Sequence, residues 1–181
     1  GARVRRMHAA YFGGGDAGVG QTLNEDELRA GIGELAGMLR PYQMEGVLWM
    51  TSRVLQGRGG VLADEMGLGK TVQSIALAQF VKRRRNLPGP VLVVCPKSLL
   101  ENWQAEIERF APCLTTLVVQ GAKRESTLEQ LHVSDVIITS YQLIIRDIQY
   151  YQNIELSLIL LDEASFIRNP DTDAAKALCG L

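Results

Sequence analysis

Ala63-Asp64-Glu65-Met66-Gly67-Leu68-Gly69-Lys70-Thr71 is the stretch that decides the fold. The apolar run Gly60-Val61-Leu62-Ala63 leads into it as the end of a buried strand. The segment from Thr71 to about Arg85 has helical spacing, with Val72, Ile75, Ala76, Gln79 and Phe80 on one face. A glycine-bearing turn between strand and helix lets backbone N–H groups close around an anion. This predicts a nucleotide site in which Gly67, Leu68 and Gly69 cradle phosphate. Lys70 then neutralises the β/γ-phosphates, and the Thr71 hydroxyl ligates Mg2+. The strict pattern G-x-x-x-x-G-K-[ST] is not met, because Asp64 stands where its first glycine would be.

The chain on either side alternates helices with strands. Asn24 followed by Glu27 has the form of a capping box, which predicts a helix from about Glu25 to Met38. Pro41 suits the first turn of a second helix that ends near Gly57. Val91-Leu92-Val93-Val94-Cys95 is a continuous apolar run, as in a strand covered on both faces. Ser98 with Glu101 reads as a second capping box, opening a helix whose apolar face carries Leu99, Leu100, Trp103, Ile107 and Phe110. Trp103 is read as core. Leu117-Val118-Val119, Val136-Ile137-Ile138 and Leu158-Ile159-Leu160-Leu161 are further strands. The predicted class is therefore α/β, a three-layer α/β/α domain with a mostly parallel central sheet. Residues 1–20, rich in glycine, are read as a flexible lead-in, and residues 21–181 as the folded lobe.

Composition narrows the function. A net charge of −1 excludes a generally basic protein while leaving room for a local basic face. No apolar stretch reaches the ~18–20 residues of a membrane helix, and the basic N-terminus has no apolar run behind it, so neither a membrane span nor secretion is expected. Three widely spaced cysteines match no metal pattern and suit reduced thiols in a cytosolic setting. Lys82-Arg83-Arg84-Arg85 is read as the solvated end of a helix. His8 and His132 have no neighbours in sequence that suggest metal or catalysis.

Asp162-Glu163 follows the last strand at once, at the edge where parallel sheets present ligands. By itself such a pair is also what an acidic surface loop shows. With the phosphate loop upstream, Asp162 is assigned to Mg2+ and Glu163 to the attacking water.

Five blocks in order resemble the SWI/SNF-type ATPases of helicase superfamily 2, which are double-stranded-DNA translocases and chromatin remodellers. Leu39-Arg40-Pro41-Tyr42-Gln43-Met44-Glu45-Gly46 resembles the adenine-reading segment. Leu62 through Thr71 resembles the first motif. Val93-Val94-Cys95-Pro96-Lys97-Ser98-Leu99-Leu100-Glu101-Asn102-Trp103 and Ile138-Thr139-Ser140-Tyr141 resemble DNA-facing motifs. Leu161-Asp162-Glu163-Ala164-Ser165-Phe166-Ile167-Arg168-Asn169-Pro170 resembles the acidic motif. The resemblance implies a RecA-like P-loop NTPase lobe using ATP and Mg2+, with Lys70 and Glu163 catalytic. It implies ATP contacts from Arg40 and Gln43, and DNA-backbone contacts from Lys97, Ser98, Thr139, Ser140 and Tyr141. Lys97 and Ser98 keep two readings, DNA contact and helix cap. The family carries His or Gln where this chain has Ser165, which is shorter and puts coupling between nucleotide and DNA in question.

The same resemblance implies a two-lobed motor of which these residues are the first lobe. The second RecA-like lobe would supply an arginine finger, so the fragment is expected to bind ATP·Mg2+ weakly and hydrolyse it poorly. The setting implied is the cytoplasm or nucleoid of a bacterium, or a eukaryotic nucleus. Two other readings remain: a docking lobe with a vestigial ATP site, and a small-molecule P-loop kinase whose lid could come only from residues 82–85. A GTPase is excluded by the lack of Asn-Lys-x-Asp.

Overall fold

A computed structural model describes residues 8–11, 23–62, 69–83 and 87–181. In chain order these form β1 (His8–Tyr11), α1 (Glu25–Ile32), α2 (Pro41–Leu55), β2 (Gly60–Leu62) and α3 (Lys70–Arg83). There follow β3 (Val91–Cys95), α4 (Leu100–Phe110), β4 (Thr116–Val118), α5 (Glu125–Leu128) and β5 (Val136–Ser140). The last elements are α6 (Tyr141–Arg146), α7 (Ile148–Tyr151), β6 (Leu158–Leu161) and α8 (Asp173–Cys179). Ala63 through Leu68, Arg84 and Arg85 lie outside the described residues, and with them most of the phosphate loop and part of the basic run.

The strands make one sheet in the order β2-β1-β6-β3-β5-β4. β6, β3, β5 and β4 run parallel, in the register Val91↔Leu158 and Val91↔Val136. β1 lies antiparallel to both β2 and β6. It falls inside the glycine-rich segment read as a lead-in, where four residues pair into the sheet.

The apolar runs form strands because both faces of the sheet are covered, and successive side chains go to opposite sides. Val91, Val93 and Cys95 pack with α1, α2, α3 and α4 in one core. Leu92 and Val94 join Leu128, Tyr141, Ile144 and Tyr151 in the other. Helix layers on both sides of the sheet confirm the three-layer expectation. α3 lies between neighbouring helices and the sheet, and Val72 through Val81 are all buried, polar residues included. One of these, Gln79, donates from Nε2 to the Ile32 carbonyl at 2.7 Å, which caps the C-terminal end of α1. Among the described residues no helix is long and apolar enough to cross a membrane.

The helix boundaries follow local chemistry, with two departures. The Asn24–Glu27 box forms in both directions, at 2.8 and 3.0 Å. α1 stops at Ile32 rather than Met38, because Gly33 turns to φ 58 and the chain continues as a 3-10 helix through Gly37. Pro41 occupies the first turn of α2, as expected. The Ser98–Glu101 box does not form. Pro96 leaves β3 into a tight turn, with Leu99 N–H bonded to the Pro96 carbonyl at 2.9 Å. Ser98 thus sits inside the 3-10 segment Lys97–Leu99, and α4 starts at Leu100 without a side-chain cap. A capping residue needs extended backbone, which that turn denies Ser98.

Candidate nucleotide site and basic cleft

Lys70 is the first residue of α3 and is only 6% exposed. Gly69 before it has φ 73, and a Cβ there would run into the Gln43 carboxamide. Gly46, a turn further along α2, likewise faces the Gln73 carboxamide. Glycines therefore let α2 lie close against the start of α3, and this brings the adenine candidate Gln43 against Gly69, directly before Lys70. Gln43 is buried, and its Oε1 accepts the Arg40 backbone N–H at 2.9 Å. Arg40 is exposed, and Thr71 is half-buried behind Lys70.

Asp162 follows β6 and is 2% exposed. Its backbone N–H bonds to the Val94 carbonyl at 2.9 Å, extending the ladder with β3. Its Oδ2 accepts the Trp103 indole N–H at 2.8 Å, and its carbonyl accepts the Tyr141 hydroxyl at 2.8 Å. Trp103 is core, as read from sequence, but its N–H has this second task. Burial, and secondly the Asp162 charge, push the neighbouring Cys95 thiol up to about 12, so it stays protonated.

Glu163 has φ 56 and ψ 52, the single non-glycine residue at positive φ among those described. Strain of this kind gathers at functional sites. Ser165 is exposed and donates to the Glu163 carbonyl at 3.3 Å, closing a local turn. Asn169 then accepts the Asp171 N–H at 3.0 Å, and Thr172 caps α8.

A Mg2+ site fits this set. Among the described residues no three His, Cys, Asp or Glu side chains cluster. Mg2+ needs only one or two carboxylates when phosphate oxygens and waters complete its shell. Asp162, pinned by an indole N–H, and the Thr71 hydroxyl are such donors.

The residues read as DNA-facing divide. Lys97 and Ser98 are exposed at the end of β3. Thr139, Ser140 and Tyr141 are turned inward, at 0%, 1% and 4% exposure. Ser140 accepts the Leu143 N–H at 3.4 Å and so caps α6. Thr139 lies beside Tyr151, whose hydroxyl is pushed up to about 12 mainly by burial.

What does open at this edge is a cleft of about 380 Å³, lined by Lys97, Gln120, Arg124, Ser140, Gln142 and Arg146 among others. Arg124 is held there from two sides. It makes a bidentate pair with Asp147 at 2.6 and 2.7 Å and donates to the Gly121 carbonyl at 2.9 Å. Gln120, Arg124, Gln142 and Arg146 were not among the sequence candidates. A signal for the first two existed: a glycine turn and Lys123-Arg124 directly after a strand, at the ligand-binding edge of a parallel sheet.

Residues 42–181 match the family model described as SNF2-related domain. The chain is 36% identical over 193 residues to the chromatin-remodeling ATPase INO80 of Mus musculus, covering 98% of this chain and 12% of that protein. It is 39% identical over 153 residues to INO80 of Arabidopsis thaliana, covering 78% and 10%. Among solved structures, the Sulfolobus solfataricus SWI2/SNF2 ATPase core in complex with dsDNA superposes with a TM-score of 0.69 at 39% identity. That match covers 79% of this chain and 30% of the solved one. The Sulfolobus solfataricus SWI2/SNF2 ATPase core domain superposes with a TM-score of 0.67, also at 39% identity.

Proposed function

The chain belongs to the SNF2-related domain family, and we propose that it is the ATP-binding lobe of an ATP-dependent translocase on double-stranded DNA. The observation that carries this reading is a buried lysine opening α3 with Gln43 packed against Gly69 before it, and a buried aspartate directly after β6, whose end lies beside that of β2 across β1. The lobe takes in β1 (His8–Tyr11) together with residues 21–181, and a second RecA-like lobe faces the nucleotide.

In this reading Gly67, Leu68 and Gly69 turn backbone N–H groups to the phosphates, and Lys70 balances the charge that builds on the β/γ oxygens. Gln43 and Arg40 meet the base. Thr71 and Asp162 hold Mg2+, which neutralises phosphate charge and orients the terminal phosphate when bound. Glu163 aligns the attacking water and takes up its proton.

DNA is held by its backbone, since a motor must pass every base pair. The cleft supports this, with Lys97 and Arg146 exposed and Arg124 fixed by Asp147 and the Gly121 carbonyl. Arg146→Ala should weaken binding of unrelated duplexes alike and lower the salt slope of log K by about one. Fluorescence anisotropy across a salt series checks this. A loss confined to one sequence would count against backbone binding. A motor on double-stranded DNA works where DNA is accessible, in a nucleus or a nucleoid.

The test of the whole reading is nucleotide binding. ATP·Mg2+ should bind the chain, and Lys70→Ala should weaken it about 10–100-fold, the value of a lost charged hydrogen bond. A fluorescent ATP analogue measures this directly. No binding by the parent chain would replace the motor reading with that of a docking lobe.

A further inference from the structure

Two aromatic donors from separate parts of the chain end on one residue. Trp103 pins the Asp162 carboxylate, and Tyr141 pins the Asp162 carbonyl. A buried indole or phenol needs some hydrogen-bond partner, so each contact alone could be ordinary core chemistry. What sets them apart is where their elements lead. Trp103 stands one turn along α4 from Leu100, which lines the basic cleft together with Lys97. Tyr141 opens α6 directly after Ser140, which lines it as well. The elements that wall the cleft are thus the elements that hold Asp162.

We propose that Trp103 and Tyr141 are positioning residues that couple occupancy of the basic cleft to the acidic end of β6. This rests on reading Asp162 as the Mg2+ residue and the cleft as the seat of the DNA backbone. The two bonds act on different atoms. With Oδ2 held by the indole, the carboxylate cannot rotate, and the direction it offers a cation is fixed. With the carbonyl held by the phenol, the peptide plane between Asp162 and Glu163 is fixed, and with it the left-handed backbone that aims Glu163. Trp103 therefore sets the metal carboxylate, and Tyr141 sets the carboxylate that meets water. A DNA backbone drawing α4 and α6 together would tighten both.

The test uses the full-length protein that contains this chain, with Mn2+ and ADP as the probe and electron paramagnetic resonance as the readout, with and without duplex DNA. In the parent, DNA should tighten Mn2+ binding, and Mn2+·ADP should tighten DNA by the same factor. Trp103→Phe should weaken Mn2+ about 10-fold or more and remove the enhancement by DNA, as loss of a ligand's orienting partner does. Tyr141→Phe, which removes one oxygen, should leave Mn2+ affinity near the parent value and lower DNA-stimulated turnover. Ile107→Val, on the same buried face of α4, should change neither.

Parent-like Mn2+ affinity and DNA enhancement in Trp103→Phe would overturn the coupling while leaving the ATP-lobe reading intact. A parent that binds no Mn2+·ADP would overturn that reading, and the coupling with it. Should Trp103→Phe fail to fold, undiminished DNA stimulation in Tyr141→Phe would overturn the coupling on its own.

Discussion

Assayed alone with saturating ATP·Mg2+, the 181-residue chain should release phosphate about 10³–10⁵-fold more slowly than the same chain joined to a second RecA-like lobe, the range an arginine finger supplies. The charge that spreads over the transferred phosphoryl oxygens needs a cation opposite Lys70. Several arginines of this lobe are committed elsewhere. Arg124 is clamped by Asp147 and Gly121, Arg29 by Glu25, and Arg53 by the Gly59 carbonyl and the Trp49 ring. Arg124 and Arg53 cannot swing to a phosphate without breaking bonds to backbone carbonyls, while Arg29 is engaged only in a surface pair. Phosphate release with and without the second lobe measures the difference. Robust DNA-stimulated turnover by the chain as a monomer would refute the division of labour.

Glu163→Gln should slow hydrolysis about 10²–10⁴-fold, the usual yield of general acid–base catalysis, and leave ATP affinity within a few-fold of the parent. Single-turnover hydrolysis and equilibrium binding separate the two. The carboxamide keeps the size of the side chain but cannot take the water's proton. The backbone adds a control. Glu163 sits at φ 56, a conformation that costs a non-glycine residue about 1–3 kcal/mol. Glu163→Gly should therefore lose hydrolysis to at least the same degree while the thermal midpoint holds or rises. A fall in that midpoint would mean that the side chain supports the fold, and the catalytic assignment would lose its main argument.

The parts of the fold that could be read from sequence were those fixed by chemistry close in the chain. β3, β5 and β6 are runs of apolar residues too continuous for a surface. The Asn24–Glu27 box and Pro41 mark helix starts through contacts three residues away or fewer. Features made by distant segments were hidden. His8–Tyr11 carries no strand signal of its own and pairs only because two other strands leave it a slot. The short helices α5, α6 and α7 have too few turns to show a period. Trp103 was legible as core, but its bond to Asp162 joins residues from α4 and the end of β6. The basic cleft draws its cations from separate elements, so no basic run announced it, whereas Lys82 and Arg83, the described part of the run that did stand out, do not line it. Thr139 and Tyr141 matched a DNA-facing pattern, yet their side chains point into the lobe.

The place of β1 has a consequence for how the molecule assembles. Ala9 pairs with Val61 on one side and with Leu161 on the other. The strand that leads toward Lys70 and the strand that ends in the acidic pair are therefore joined through β1, not to each other. On a ribosome that segment emerges before β6 and must wait for it. Until then β2 and β1 can pair only with each other and leave an open edge. Such long-range closure is slow, because loop entropy is lost before contacts are gained. The two halves of the proposed ATP site come together only once Leu161 has been made, so a nascent chain stopped short of that residue should bind no nucleotide there.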